Sequence, residues 1–201
     1  MTNYYYTKNP DVEHDEKKWD FTLLGNKLHF ITDNGVFSKR RVDFGSCVLL
    51  NAIELYDFKD AKLLDVGCGY GPLGLALAKK FPTAVVDMID VNELALDLAK
   101  RNAQNNGITN SNIWESNQYE EVKQSDYNVI ITNPPIRAGK EVVHNILSGA
   151  KDHLRENGML IAVLQKKQGA PSAKKKMEEV FGNCTVIAKE KGYFILQSTK
   201  E

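Results

Sequence analysis

Between Leu63 and Gly74 the chain reads LLDVGCGYGPLG, an apolar run that halts at closely spaced glycines and resumes as a helix former. That order admits few folds. A buried strand must end where the backbone turns sharply, and a helix must begin at once, at Pro72 or Leu73, with its free N–H groups facing whatever sits above the turn. Gly67, Gly69, Gly71 and Gly74 let the main chain pass close to a ligand because they lack a Cβ. Glycines packed this densely cost chain entropy without adding packing, so a turn that binds nothing is the poorer reading, and the segment is taken as a site for a nucleotide-like cofactor.

The rest of the chain repeats the same alternation. Apolar runs at 61–66, 84–90, 127–133 and 158–165 predict strands, and amphipathic stretches at Leu73–Phe81, Glu93–Asn106, Glu141–Leu154 and Ala173–Phe181 predict helices between and after them. This is an α/β doubly wound, Rossmann-like domain with a mostly parallel sheet and helices on both faces. The segment 184–198 predicts two strands closed by a tight turn at Lys191-Gly192, hence an antiparallel hairpin at the sheet's end. Ahead of the sheet, Trp19–Leu24 and Lys27–Thr32 predict a short hairpin turned by Gly25-Asn26. Asp43 is placed to cap a helix running from Phe44 towards Tyr56. With 201 residues and 42% hydrophobic composition, one domain is expected over 1–201, an extension over 1–58 preceding a cofactor-binding catalytic core over 59–201.

Bulk charge excludes little. Lys plus Arg and Asp plus Glu both total 26, so any nucleic-acid surface must be local. Cys47, Cys68 and Cys184 have neither paired nor zinc-ligand spacing, so they read as free thiols in a reducing compartment and no metal is expected. The N-terminus is polar where a signal peptide needs an apolar core, and no apolar run reaches membrane-spanning length. A cytoplasmic protein without a membrane partner, monomeric by default, is the expectation.

The glycine loop by itself is ambiguous. Gly69 to Gly74 matches the dinucleotide pattern G-x-G-x-x-G, and Asp90 follows about 20 residues on, where an acid that binds a ribose belongs. Three features favour a methyl donor instead. Asp65 lies at the strand end just before Gly67, Gly67 and Gly69 come earlier than a dinucleotide loop needs, and Pro72 removes an N–H that a pyrophosphate would use. Asn92 is able to cap the helix at Glu93, which leaves the Asp90 carboxylate for ribose hydroxyls. Ser116-Asn117 follows a further strand, where Asn117 is a candidate for the adenine edge and an ordinary loop residue is the competing reading.

The most informative tetrapeptide is Asn133-Pro134-Pro135-Ile136, which stops the strand 127–133 at the carboxyl edge where open α/β sheets keep their ligands. An exocyclic amine or carboxamide nitrogen is a poor nucleophile because its lone pair is delocalised. The side-chain oxygen of Asn133 and the carbonyl of Pro134 are suited to accept its two N–H bonds, aiming the nitrogen and stabilising the positive charge that forms on methylation. Pro135 biases Pro134 towards an extended conformation, so that acceptor is preorganised. No strong general base is needed, because the proton becomes acidic only as the methyl arrives.

Together LLDVGCGYGPLG, the acid in IDVN and NPPI resemble class I S-adenosylmethionine-dependent methyltransferases acting on amino nitrogens. GVFS at 35–38, VDFGS at 42–46 and NPPIRAGK narrow this to the small methyltransferase domain of ribosomal small-subunit RNA guanine-N2 methyltransferases, the likeness running from about Gly35 to the C-terminus and being closest to single-domain bacterial members. The resemblance implies a seven-stranded sheet with an antiparallel last strand. It also implies S-adenosylmethionine as cofactor, S-adenosylhomocysteine as product, ribosomal RNA or the small ribosomal subunit as partner, and guanine N2 as acceptor. Phe37 would pack over the cofactor, with a core phenylalanine as the alternative; Asp65, Gly67, Gly69, Gly71, Asp90, Val91, Asn117 and Asn133 would line its site. Ile136, where many such enzymes carry an aromatic that stacks on the base, is a departure. Ile136, Arg137, Lys140, Lys166 and Lys167 are the candidate substrate contacts, the basic ones as phosphate ligands; Lys174 to Lys176 read better as a solvated face.

Three other functions remain open on the residues. A protein glutamine methyltransferase also suits NPPI, although those usually carry an aromatic after the prolines. A nucleotide-binding oxidoreductase explains the glycines and Asp90 but leaves Asn133-Pro134-Pro135 idle. A non-catalytic binding domain would be expected to have lost Asp65, Asp90 or Asn133.

Overall fold

The computed structural model describes residues 6–8, 12–38 and 40–201, so the N-terminal stretch read as polar lies partly outside the described residues. Nine strands and five α-helices follow one another among those residues, beginning with an antiparallel hairpin of β1 (Lys17–Leu23) and β2 (Asn26–Thr32) and the helix α1 (Phe44–Ala52). The α/β core comprises β3 (Lys62–Val66), α2 (Pro72–Lys80), β4 (Val85–Asp90), α3 (Glu93–Asn105), β5 (Ser111–Glu115), β6 (Tyr127–Thr132), α4 (Lys140–His153), β7 (Leu154–Gln165), α5 (Ala170–Phe181), β8 (Thr185–Glu190) and β9 (Tyr193–Thr199). The larger sheet has seven strands in the order β5-β4-β3-β6-β7-β9-β8. Its first five are parallel, and β9 runs antiparallel to both β7 and β8. This is the seven-stranded Rossmann-like sheet expected.

Strand periodicity sets the two layers. In β3, Leu63 faces one apolar cluster and Leu64 the other; in β6, Val129 and Ile131 face the first and Ile130 the second. The first cluster is closed by α1, α2, α3 and the hairpin, the second by α4 and α5. Burial on both faces explains why these strands read as near-continuous apolar runs.

Several boundaries differ from expectation, α5 for one beginning at Ala170 rather than Ala173. The first hairpin turns at Leu24-Gly25 rather than Gly25-Asn26, with both residues at positive φ (50° and 77°), and Asn26 pairs with Leu23. Helix α1 stops at Ala52 instead of reaching Tyr56, whose hydroxyl donates to Gln197 Oε1 (2.8 Å) on β9. Strand β7 begins at Leu154, four residues before Gly158, because Leu154 already pairs with Tyr127 ahead of a register shift in β6.

Candidate active site

Strand order reverses between β3 and β6, and the cleft that opens at their carboxyl ends is where such sheets bind ligands. On its β3 side Asp65 is 1% exposed; its Oδ2 accepts from Gly74 N–H (2.9 Å), while its Oδ1 is buried with no hydrogen-bond partner. Burial pushes this carboxyl up to about 7. Gly67 and Gly69 sit at positive φ (75° and 57°) and line the cleft, and a Cβ on Gly69 would meet nothing within 4 Å. The backbone there is bare towards the cleft.

The other two glycines have a different task. A Cβ on Gly74 would lie 2.8 Å from Met88 Cγ, and one on Gly71 would lie 2.7 Å from Leu75 Cδ1 and 3.1 Å from Met88 Cε, so both allow α2 to pack closely on β4. Gly71, a candidate for cofactor contact, is also absent from the cleft lining. Gly71 is the left-handed cap of α2 and Pro72 opens the helix, in a pattern fixed by packing as much as by a ligand.

At the end of β4, Asp90 Oδ2 accepts from Gly69 N–H (2.8 Å) and Oδ1 from Asn92 N–H (2.9 Å). Each oxygen keeps a further lone pair for a ligand. Burial raises this carboxyl's pKa as well, against the pull of those backbone N–H groups. Asn92 caps α3 as anticipated, its side chain accepting from Ala95 N–H (3.1 Å).

Across the cleft, β6 ends with Thr132 donating to the carbonyl of Val66 (2.8 Å), which ties it to β3 just below the site. Asn133 follows. Its Nδ2 donates to Asp43 Oδ2 (2.9 Å) and to Ser46 Oγ (3.1 Å). A carboxylate only accepts, so this contact decides the orientation of the amide: the nitrogen faces α1, and Oδ1 is left as an acceptor with no bond from a described residue. The Pro135 carbonyl is engaged by Ala138 N–H (2.9 Å), whereas the Pro134 carbonyl accepts nothing from the described residues. Two acceptors are thus left at the place where the tetrapeptide was expected to present them.

Phe37, Val91, Ile136 and Arg137 also line the cleft, Phe37 being 57% exposed at its mouth. Asn117 is not part of the lining; its Oδ1 accepts from the hydroxyl of Tyr6, which does line it. Lys140, Lys166 and Lys167 are exposed and lie outside the lining, at the start of α4 and in the turn after β7. Sequence reasoning gave no part in the site to several residues that border it, Asp43, Ser46 and Tyr193 among them. Asp43 and Ser46 stood as a helix cap and as part of the VDFGS segment that carries the resemblance, and Tyr193 only as the start of the last strand. The Tyr193 ring packs on Gly45, where a Cβ would lie 2.8 Å from it, and it borders the cleft near Asp43.

A match to the family model described as the methyltransferase small domain spans residues 27–197. The chain belongs to the methyltransferase small domain family. Over its whole length this methyltransferase is 46% identical to YbxB of Bacillus subtilis, a protein without a characterised activity, and covers all of it. It is 37% identical over 133 residues to the ribosomal RNA small subunit methyltransferase C of Aeromonas hydrophila, matching 64% of this chain and 37% of that protein. Among solved structures, the T. thermophilus 16S rRNA N2 methyltransferase in complex with AdoMet and guanosine superposes with a TM-score of 0.85 at 24% identity, over 96% of this chain and 52% of that one. The chain therefore spans about half or less of the ribosomal RNA methyltransferases it matches. Membership disposes of the oxidoreductase reading.

A methyltransferase of this class uses S-adenosylmethionine, and the residues present fit it. The unpartnered Asp65 Oδ1 is a buried acceptor suited to an ammonium group, Asp90 has lone pairs for ribose hydroxyls, and the bare backbone at Gly69 leaves room between them. Among the described residues no group of His, Cys, Asp and Glu is arranged to hold a metal, and no helix is long and apolar enough to cross a membrane.

Proposed function

We propose that this methyltransferase transfers a methyl group to the exocyclic N2 of a guanine in small-subunit ribosomal RNA. The observation that carries the reading is the Asn133 amide, whose two N–H groups are tied to Asp43 and Ser46 so that its oxygen is held ready, beside the idle carbonyl of Pro134. Bound S-adenosylmethionine supplies a methyl activated by a sulfonium. Asp65, Gly67, Gly69, Asp90 and Val91 hold that donor, with Phe37 over it at the cleft mouth. Asn133 Oδ1 and the Pro134 carbonyl accept the two N–H bonds of the target amine, turning its lone pair out of the base plane and stabilising the charge that develops; the surplus proton leaves to water. Tyr193 offers the aromatic surface that Ile136 does not, and Arg137 the first phosphate contact, with Lys140, Lys166 and Lys167 beyond it. An enzyme of this task works in the cytoplasm. The ribosomal RNA methyltransferases among its relatives support the substrate class.

The test is to incubate the protein and labelled S-adenosylmethionine with undermodified small-subunit RNA and with undermodified subunits, and to separate the nucleosides by mass spectrometry. New N2-methylguanosine is the expected product. Label on protein alone would bring forward the glutamine methyltransferase, and no transfer despite cofactor binding would leave a binding domain.

A further inference from the structure

Asp43 caps α1 through Oδ2, which accepts from Ser46 N–H (3.0 Å), and the same oxygen accepts from Asn133 Nδ2. A helix cap needs only one acceptor, and serine or asparagine supply one equally well. Here the residue is a carboxylate, it borders the catalytic cleft, and its second oxygen, Oδ1, has no hydrogen-bond partner among the described residues. The cleft therefore holds two hydrogen-bonded side chains, each with one acceptor to spare: Asn133 with Oδ1 and Asp43 with Oδ1.

Guanine presents two adjacent donors on its Watson–Crick edge, N1–H beside the N2 amine. Adenine and cytosine present an amine beside a ring nitrogen that only accepts, and a glutamine carboxamide presents an amine beside a carbonyl oxygen. Only guanine, among these amine substrates, matches two neighbouring acceptors. A carboxylate facing an acceptor lone pair is repelled, so the same group rejects the others. We infer that Asp43 is a specificity-determining residue, its free carboxylate oxygen accepting from guanine N1–H while Asn133 and Pro134 hold the N2 amine. The inference rests on the guanine reading above and names the group that enforces it.

Asp43→Asn separates this role from capping. The two donors at Ser46 N–H and Asn133 Nδ2 hold the amide oxygen in the place of Oδ2, so the new NH2 must occupy the place of Oδ1. That turns the acceptor facing N1 into a donor while α1 stays capped and Asn133 stays oriented. The probes are guanosine and 2-aminopurine riboside, which keeps the 2-amino group but carries a bare N1. Binding is read with S-adenosylhomocysteine present, from 2-aminopurine fluorescence and its displacement by guanosine. The unaltered protein should prefer guanosine by about 10-fold or more, and Asp43→Asn should bring the ratio near one or invert it, with S-adenosylhomocysteine affinity and thermal midpoint unchanged. Should that variant fold poorly, Asp43→Ser, which caps the helix but reaches neither probe, should weaken guanosine relative to 2-aminopurine riboside, whose repulsion at N1 it removes. A preference that survives either folded variant, or one that falls equally for both nucleosides, overturns the inference while leaving the methyltransferase reading intact. Failure of the unaltered protein to methylate guanine at all would overturn the proposed function, and the inference with it, and shows as lost activity rather than as a changed ratio.

Discussion

Asn133 and Asp65 face the same cleft with opposite electrostatic histories. Asn133 is neutral, and its contribution is a fixed direction. Replacing it with alanine should leave cofactor affinity within a few-fold and lower turnover by roughly 100-fold, the scale of one preorganised polar contact, measured by steady-state kinetics with a direct cofactor titration alongside. Asp65 is a buried carboxyl held up to about 7 from an ordinary value of 3.8, with one oxygen unpartnered. A cationic cofactor prefers its ionised form. Cofactor affinity should therefore fall as pH drops below about 7, by up to about 10-fold per pH unit, and Asp65→Asn should flatten that dependence. In the ligand-free chain the sign is reversed: the folded state keeps this proton between 3.8 and about 7, so stability declines as pH rises through that window. Calorimetric titration across pH 5.5 to 8 tests the binding, since a flat profile in the unaltered protein would show that Asp65 does not meet the cofactor's charge.

A two-stranded hairpin is marginal by itself, so β1 and β2 need an anchor. Helix α3 supplies it through side chains. Asn102 Oδ1 accepts from Ile31 N–H (2.7 Å) and its Nδ2 donates to the Ile31 carbonyl (3.1 Å), while Asn106, one turn on, makes the same pair with His29 (2.8 Å each). Two asparagines thus stand in for a neighbouring strand along the edge of β2. Asn102 also donates to the Tyr70 carbonyl (3.0 Å), which links the hairpin to the glycine loop. Asn102→Ala strands these buried groups and should cost about 2–4 kcal/mol of stability, read from urea denaturation. A change below about 0.5 kcal/mol would mean that the hairpin is held by its apolar face alone. From sequence the two asparagines were helix residues without a task, because the strand they serve lies about seventy residues earlier.

For the whole molecule, equal numbers of acidic and basic residues mean that RNA affinity has to come from a local rim. Neutralising Arg137, Lys166 and Lys167 together should weaken RNA binding and reduce the salt dependence, lowering the log–log slope by about 2 if all three meet phosphates of a single strand. An unchanged slope would move the RNA surface elsewhere. The sheet and its site differ in how far the chain disclosed them. Apolar alternation, the strand–glycine–helix junction and the prolines after Asn133 are local patterns, read over a few residues, and they determined the doubly wound fold, the place of the cleft and the acceptor tetrapeptide. The sequence likewise carried the terminal antiparallel hairpin, since Lys191-Gly192 is turn chemistry that needs no distant partner. Tertiary structure alone decided what surrounds that tetrapeptide. Asp43 and Asn133 are ninety positions apart, and only the packing of α1 against the carboxyl edge of β6 brings a cap residue to an amide and leaves one oxygen of each without a partner among the described residues. Gly71 and Gly74 were likewise divided from Gly67 and Gly69 by Met88, a neighbour on another strand. Side-chain direction and contact depend on how elements stack, and no local pattern encodes that.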